Sequence, residues 1–586
     1  MGHIQGIDPA RHLGIATIVL WSAGSVVASN EPEIVYVVKD EAVHGIDPKL
    51  FGHFLERPSW GEVGVEGGLT PGTRQLQPSV LKRLREMGIP VLRFPGGTDV
   101  DYLDWRDMID HVPGRAGERP VSIGHRGHQV TNEFGYDEFL HLCEELHSDA
   151  ILVVNLADAL LKKKSLKEAA LHAAGLTAYC NAPPGAALPG GMPDWPAVRA
   201  RNGRRKPYGV KYFQLGNETW FFVDRMRKQG NANPETFYVE CLAAYVAAVR
   251  DVDPSVQILV DAVSPKIAGL IHERLGDQVN YLVQHHYMPW GIKNATRAGQ
   301  TTPLTKLTDE EIWYAWVAIP NSRNAHGESV IDGVALSEGR KLGYKVAVTE
   351  WNWNGFYSNG DYGALPADQR PLNSSFAKGL GAAGYLHALM RAGDAIEIGC
   401  QSMTVGNRWG ITSIRADRQG RVPAYFLPSG QVTMFYAKHH GNKLLSMTAG
   451  DVPTYEQPLR MGGIRPSAKV AHLDALATAG DHAVYFHVIN RHFSESLTVH
   501  IDLSDFRSLS GKAVHHLLLG RLNDAPRQGE SREIGRFEER KLSFKGSRFK
   551  AVLPARSLSC IEIQRSRKGV RDRFSVCIDH SIEPTP

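Results

Sequence analysis

No two of the six cysteines, Cys143, Cys180, Cys241, Cys400, Cys560 and Cys577, are spaced as Cys-x-x-Cys, and their scatter gives neither a zinc site nor a disulfide framework. No His-Glu-x-x-His occurs, and the His-His pairs that begin at His285, His439 and His515 lack ligand spacing, so the sequence points to no metal and no cofactor. A Gly-rich phosphate loop is also missing, which removes the usual support for a nucleotide site. Neither sign of charge predominates. The net charge is +4 over 586 residues, and no basic stripe with interleaved aromatics stands out, which argues against nucleic acid as a partner. The run Lys162-Lys163-Lys164 reads as a solvated helix start. Beyond the N-terminal region no stretch is long and apolar enough to span a bilayer.

What is present is an ordinary globular composition, 42% hydrophobic and 22% charged, on a chain long enough for two or more domains. Arg11 and His12 precede an apolar stretch from Leu13 to Ala28, and Val26-Val27-Ala28-Ser29 offers small residues for cleavage. Residues 1–29 therefore read as a secretory leader. They predict a secreted or periplasmic protein with no stable membrane insertion once the leader is removed. A start placed too far upstream, or a membrane-tethering helix, is the competing reading.

From Leu50 onward, strand and helix patterns alternate. Eight strand-like runs can be counted, ending near Phe94, Asn155, Asp261, Tyr287 and Ser402 among others, with helical stretches such as Gly135 to His147 and Pro234 to Val252 between them. That alternation over residues 48–414 predicts an α/β fold of the (β/α)8 TIM-barrel type. An open doubly wound sheet is the rival, without its phosphate loop. Residues 415–565 carry short alternating strands with turn residues between them, the spacing of a C-terminal antiparallel β-sandwich domain. The isolated strand Glu33-Ile-Val-Tyr-Val-Val38, within residues 30–47, has no partner in a barrel that begins later, so it is assigned to the sandwich. The tail 566–586 reads as disordered.

Two runs carry the chemistry. Tyr208-Gly-Val-Lys-Tyr-Phe-Gln-Leu-Gly-Asn-Glu218 and Lys345-Val-Ala-Val-Thr-Glu-Trp-Asn352 each bring a glutamate to the C-terminal end of a buried strand, the fourth and the seventh of the eight. A lone glutamate there is usually an ordinary strand-end residue. Two in matched settings suggest a glycosidase, because cleaving an acetal needs one group to protonate the leaving oxygen and another to attack the anomeric carbon. Asn217-Glu218-Thr219 also fits the N-glycosylation pattern, although a strand end inside a pocket is a poor acceptor.

These residues, together with Phe51-Gly-His-Phe-Leu-Glu56, Arg93-Phe-Pro-Gly-Gly97, Thr131-Asn-Glu-Phe-Gly-Tyr-Asp-Glu138 and His285-His-Tyr287, resemble glycoside hydrolase family 51, the α-L-arabinofuranosidases of the clan A retaining glycosidases. The order and spacing of the motifs over residues 33–565 carry the resemblance. It implies a hydrolase of L-arabinose metabolism that removes terminal arabinofuranosyl residues from plant-type polysaccharides or oligosaccharides. Glu218 would be the acid/base and Glu350 the nucleophile. Asn217 would bond the hydroxyl next to the anomeric carbon, Glu56 the terminal sugar, and His285 and Tyr287 would line the pocket. Arg93 would orient Glu350 and keep it ionised. A satisfied core histidine at His285 and a purely structural ion pair at Arg93 are the plainer alternatives.

One position departs from the family pattern. Where the family has Asn after Pro-Gly-Gly, this chain has Thr98, followed by Asp99 and Asp101, which puts the choice of sugar in doubt. Trp351, with Trp60, Trp220, Trp290 and Trp353, lies close enough to the motifs to form a stacking wall. The alternatives are another clan A activity, an endo-β-glucanase or xylosidase, and a non-catalytic carbohydrate-binding protein. A homo-oligomer is compatible with the sequence.

Overall fold

A computed structural model describes residues 33–288, 294–318, 331–353, 376–507, 509–521 and 533–566, so the leader 1–29, Trp290 and nearly all of the tail lie outside the described residues. Eight parallel strands close into a barrel: β1 (Gly52–Phe54), β2 (Val91–Phe94), β3 (Asp149–Val154), β4 (Tyr212–Leu215), β5 (Gln257–Asp261), β6 (Tyr281–Met288), β7 (Lys345–Trp353) and β8 (Ile396–Ser402). Each pairs with the next, and β8 returns to β1 through Cys400 opposite Gly52. The ring is the TIM barrel that the alternation predicts.

Period-2 alternation sorts the strand residues into two layers. Val91, Ile151, Tyr212, Leu259, Val283, Ala347 and Ile398 fill the interior of the barrel. Phe213 and Leu215, one position on, pack under the surrounding helices. Fully burying such side chains stabilises the fold by roughly 1.5–3 kcal/mol each. Helix starts follow local chemistry: the helix Leu166–Asn181 opens with a capping box in which Ser165 and Glu168 satisfy each other's backbone N–H groups.

Beyond the barrel, a nine-stranded sheet forms a second layer system. Its C-terminal strands are β9 (Lys443–Ala449), β10 (Leu473–Ala479), β11 (Ala483–Asn490), β12 (Leu497–Asp502), β13 (Leu509–Leu519), β14 (Arg536–Ser543), β15 (Arg548–Leu553) and β16 (Ser557–Arg565). The N-terminal strand Ile34–Gly45 lies between β9, antiparallel, and β12, parallel. Its inward residues Ile34, Tyr36 and Val38 are buried in the core of this sheet, and the Tyr36 ring meets Phe486 of β11 at 5.2 Å. Two strands, β9 and β10, lie between Tyr36 and Phe486 in the sheet order, so the sheet curls over its own core as a sandwich does. No helix among the described residues is long and apolar enough to cross a membrane.

Candidate active site

At the C-terminal mouth of the barrel the inward layer changes from apolar to polar. Arg93, on β2 and fully buried, is its hub. Its guanidinium donates to Gln214 Oε1 of β4 at 2.8 Å, to Glu350 Oε1 at 2.9 Å and to Asn217 Oδ1 at 2.7 Å, and it lies over the Phe54 ring. Because the Asn217 carbonyl is taken by Arg93, its amide nitrogen points the other way and has no hydrogen-bond partner among the described residues. That leaves a buried donor unpaired.

Glu218 follows β4 with φ at +50°, a left-handed conformation that costs a non-glycine residue energy. The next residue anchors it: Thr219 donates through its backbone N–H and its hydroxyl to Asp261 Oδ2 at the end of β5, at 2.7 and 2.8 Å. Glu350 owes its direction to a bulge in β7. Val348 faces Gln284 of β6, yet Glu350 faces His285, so the strand carries an extra residue there. Thr349 and Glu350 both turn inward as a result, the first reaching His285 Nε2 at 3.0 Å and the second reaching Arg93.

The second Glu350 oxygen accepts from the Tyr287 hydroxyl at 2.7 Å, and Ser402 Oγ at the end of β8 contacts the same hydroxyl. Burial works against the Glu350 charge, but His285, Arg93 and Tyr287 outweigh it and hold the carboxyl below the usual glutamate range. The Tyr287 phenol is pushed well above its ordinary value, first by burial and then by Glu350, so it remains a donor. His285 Nδ1 lies 3.1 Å from Glu218 Oε1. Burial alone would lower its pKa; Glu350 and Glu218 reverse that and raise it. Trp220 presents an edge-on ring to His285 with centroids 5.6 Å apart.

One oxygen of Glu218, one of Glu350 and a ring nitrogen of His285 all lie within 4.8 Å of one another. This donor set has the composition of a metal site, but the Arg93 guanidinium already holds a Glu350 oxygen and opposes a second cation there. Two close carboxylates of differing environment suit acid and nucleophile chemistry instead.

Comparison with known proteins agrees with this geometry. The family model described as the alpha-L-arabinofuranosidase 1 domain matches residues 83–301. Alpha-L-arabinofuranosidase C of Emericella nidulans is 24% identical over 501 residues, covering 81% of this chain and 88% of that protein. The intracellular exo-alpha-(1->5)-L-arabinofuranosidase of Halalkalibacterium halodurans is 24% identical over 508 residues, covering 82% and 89%. These similarities accord with the resemblance to glycoside hydrolase family 51 that the motifs carry. The fold of this chain is that of the Thermotoga maritima alpha-L-arabinofuranosidase solved as an arabinose complex, with a TM-score of 0.67 at 21% identity over 91% of this chain and all of that one.

Glu56 sits under the Pro-Gly-Gly turn. A Cβ at Gly97 would come within 2.6 Å of Glu56 Oε1, and one at Gly96, where φ is +137°, within 2.9 Å of its Cγ, so the turn needs glycine to let the carboxyl in. Burial first, then the Glu350 and Asp99 carboxylates, push Glu56 well above the usual range, against Arg93 and the Gly97 N–H. Thr98 opens the short 3-10 helix Thr98–Tyr102 half-buried, and its side chain makes no hydrogen bond among the described residues. The polar contact passes to buried Asp99, which accepts from the backbone N–H of His125 at 2.7 Å and lies 2.6 Å from its Nδ1. Trp60, 40% exposed, packs on the same histidine at 4.1 Å.

Trp351 corrects the sequence reading. It is fully buried and stacks on Tyr385 of the helix Phe376–Arg391 at 4.9 Å, on the outside of the barrel. Strict alternation from Ala347 would turn Trp351 inward; the bulge that brings Glu350 inside sends Trp351 out. Trp353 faces outward too, against Gly381. Gln214, Ser402, Asp261, Asp99 and His125 were missed as members of this site. Asp261 and Ser402 carried a usable signal, as polar residues closing strands five and eight.

Proposed function

We propose that this protein is a retaining, exo-acting α-L-arabinofuranosidase that removes terminal arabinofuranosyl residues from plant-type polysaccharides or oligosaccharides. The observation that carries the reading is the approach of Glu218 and Glu350 to within 4.8 Å at the ends of the fourth and seventh strands of one barrel. Retaining glycosidases hold their two carboxyl groups about 5–5.5 Å apart, too close for the water that an inverting enzyme inserts. Glu350, ionised beside Arg93 and Tyr287, attacks the anomeric carbon and forms a glycosyl ester, while Glu218 gives its proton to the leaving oxygen. Glu218 then takes a proton from the water that cleaves the ester, and the sugar leaves with its configuration retained.

The Asn217 amide nitrogen supplies a donor for the hydroxyl beside the anomeric carbon, a contact that strengthens as charge develops there. Glu56 and Thr98 face the rest of the ring, and Thr98 sets which sugar is preferred. The apolar stretch Leu13 to Ala28 supports export to the periplasm or the medium, which N-terminal sequencing of exported protein tests against an intact Met1.

The test of the chemistry is azide rescue. Glu350→Ala should abolish turnover and, with azide, give the inverted glycosyl azide; Glu218→Ala should still react with an activated aryl glycoside and, with azide, give the retained product. NMR of the first-formed sugar from the wild-type enzyme must show retention, and an inverted anomer refutes the assignment. Aryl arabinofuranoside, xyloside and glucoside compared side by side test the sugar, with a preference for either of the last two favouring another clan A activity.

A further inference from the structure

The residues on either side of Glu218 in sequence both meet buried carboxyl groups. Thr219, which follows it, is held by Asp261 of β5. Asn217, which precedes it, has its backbone N–H acting on the carboxyl of Asp101, in the 3-10 helix Thr98–Tyr102 that follows the Pro-Gly-Gly turn. Asp101 Oδ1 also accepts from the backbone N–H groups of Leu156 at 3.3 Å and Ala157 at 3.4 Å, just beyond the end of β3. The turn at residues 216–219 lies on this same anchor point: Gly216 donates to Val154 O at 2.9 Å, and a Cβ at Gly216 would meet Leu156 Cβ at 3.0 Å and Thr219 Cγ2 at 2.5 Å.

Capping of the four-residue helix Ala157–Leu160 accounts for the bonds to Leu156 and Ala157, but not for a carboxyl set against Asn217 and Asp261. Asp101 and Asp261 are each 1% exposed, and Asp101 Oδ2 and Asp261 Oδ1 accept no hydrogen bond among the described residues. Arg93, the buried guanidinium of the mouth, donates to Gln214, Glu350 and Asn217 instead. Two neighbouring buried carboxyls without a cation do not both ionise. Burial pushes Asp101 up to about 8; the Leu156 and Ala157 N–H groups oppose that, Asp261 adds to it, and the Asn217 N–H opposes it. A neutral Asp101 still accepts from N–H groups and sets no second negative charge beside Asp261. Such anchoring has a use here, because the left-handed backbone of Glu218, with φ at +50°, persists only where its surroundings over-determine it.

We propose that Asp101 is a positioning residue for the acid/base: it ties the turn at residues 216–219 to the end of β3 and, with Asp261, fixes the direction in which Glu218 presents its carboxyl. The proposal rests on the reading of Glu218 as the proton donor.

The test separates proton donation from every other contribution. kcat/KM is measured on two aryl glycosides of the sugar that the wild-type enzyme prefers, the 2,5-dinitrophenyl, which leaves without a proton, and the phenyl, which needs one. General acid catalysis is worth about 10²–10⁴ in rate, so Asp101→Ala should lower kcat/KM on the phenyl glycoside by about tenfold or more and on the 2,5-dinitrophenyl glycoside by less than about threefold. A loss of folded protein lowers both equally. Asp101→Asn, a neutral amide of the same shape with an acceptor oxygen in the same place, should restore the phenyl rate to within about threefold of wild type. Asp101→Ser, with a shorter reach, carries the test if Asp101→Ala does not fold. Glu218→Ala alongside must show the same selective loss on a larger scale; if it does not, the acid/base reading falls and takes the proposal with it. If Glu218→Ala shows that loss while Asp101→Ala and Asp101→Ser keep the wild-type ratio of the two rates, or if Asp101→Asn loses as much as Asp101→Ala, the proposal is overturned and the reading of Glu218 stands.

Discussion

Replacing Tyr287 with phenylalanine removes a single hydroxyl from the pocket. That hydroxyl donates to Glu350 Oε2 at 2.7 Å, while Arg93 holds the other oxygen at 2.9 Å and is untouched by the change. Glu350 is held below the ordinary glutamate range by His285, Arg93 and Tyr287 together, so losing one donor destabilises the anion and moves the carboxyl back up. A hydrogen bond to a charged group is worth about 1.5–3 kcal/mol, and about 1.4 kcal/mol corresponds to one pH unit. The nucleophile must be ionised, so kcat/KM is lost as pH falls through the pKa of Glu350 in the free enzyme. In Tyr287→Phe that acid limb should therefore lie roughly one to two pH units higher than in wild type.

Stability follows the same sign. A depressed carboxyl stabilises the fold above its unfolded pKa and loses that contribution as pH falls through the folded value, and the variant has less of it to lose. The assay is kcat/KM on 4-nitrophenyl α-L-arabinofuranoside from about pH 3 to 8, with Ser402→Ala alongside. Ser402 touches only the Tyr287 hydroxyl of this pair, so its limb should move the same way by less. An acid limb that stays in place in Tyr287→Phe, or moves to lower pH, refutes the reasoning that Tyr287 acts through Glu350.

Three further outcomes are expected. Thr98→Asn should raise kcat/KM on arabinofuranosides about threefold to tenfold, the value of one net hydrogen bond, and a drop would mean that the pocket favours another ring. Trp351→Ala should cost about 3–5 kcal/mol of stability, read by denaturant melts, because it empties a buried site against Tyr385, whereas KM should change little; a large KM effect with unchanged stability would return Trp351 to the pocket. Deleting residues 33–38 should expose facing edges of β9 and β12, so that limited proteolysis cuts first beyond residue 415; resistance there equal to that of the full chain counts against the pairing.

The strand count, the barrel and both glutamates could be read from the sequence because each rests on a local signal. Buried strands of a parallel barrel are short apolar runs, and the mouth of the barrel is where such runs end on polar residues. Arg93, Asn217, His285 and Tyr287 were legible in the same way, as polar side chains at or just past strand ends, although only by resemblance did they acquire roles. Trp351 shows where that reading stops. Whether a residue faces in or out follows from counting by two, and one extra residue in β7 inverts the count for everything after Thr349. The bulge is visible only against the neighbouring strands, because it is a property of pairing and not of the run itself.

The same limit hid the partners of the site. Gln214 and Asn217 meet Arg93 from more than 120 residues away in sequence, and Ser402 reaches Tyr287 across 115. Local periodicity fixes which side chains are buried and where chains of polar residues begin. Which of them stand within a hydrogen bond of one another is decided by the closure of the barrel and the curl of the sheet, because both join residues through backbone pairing that a one-dimensional pattern does not record.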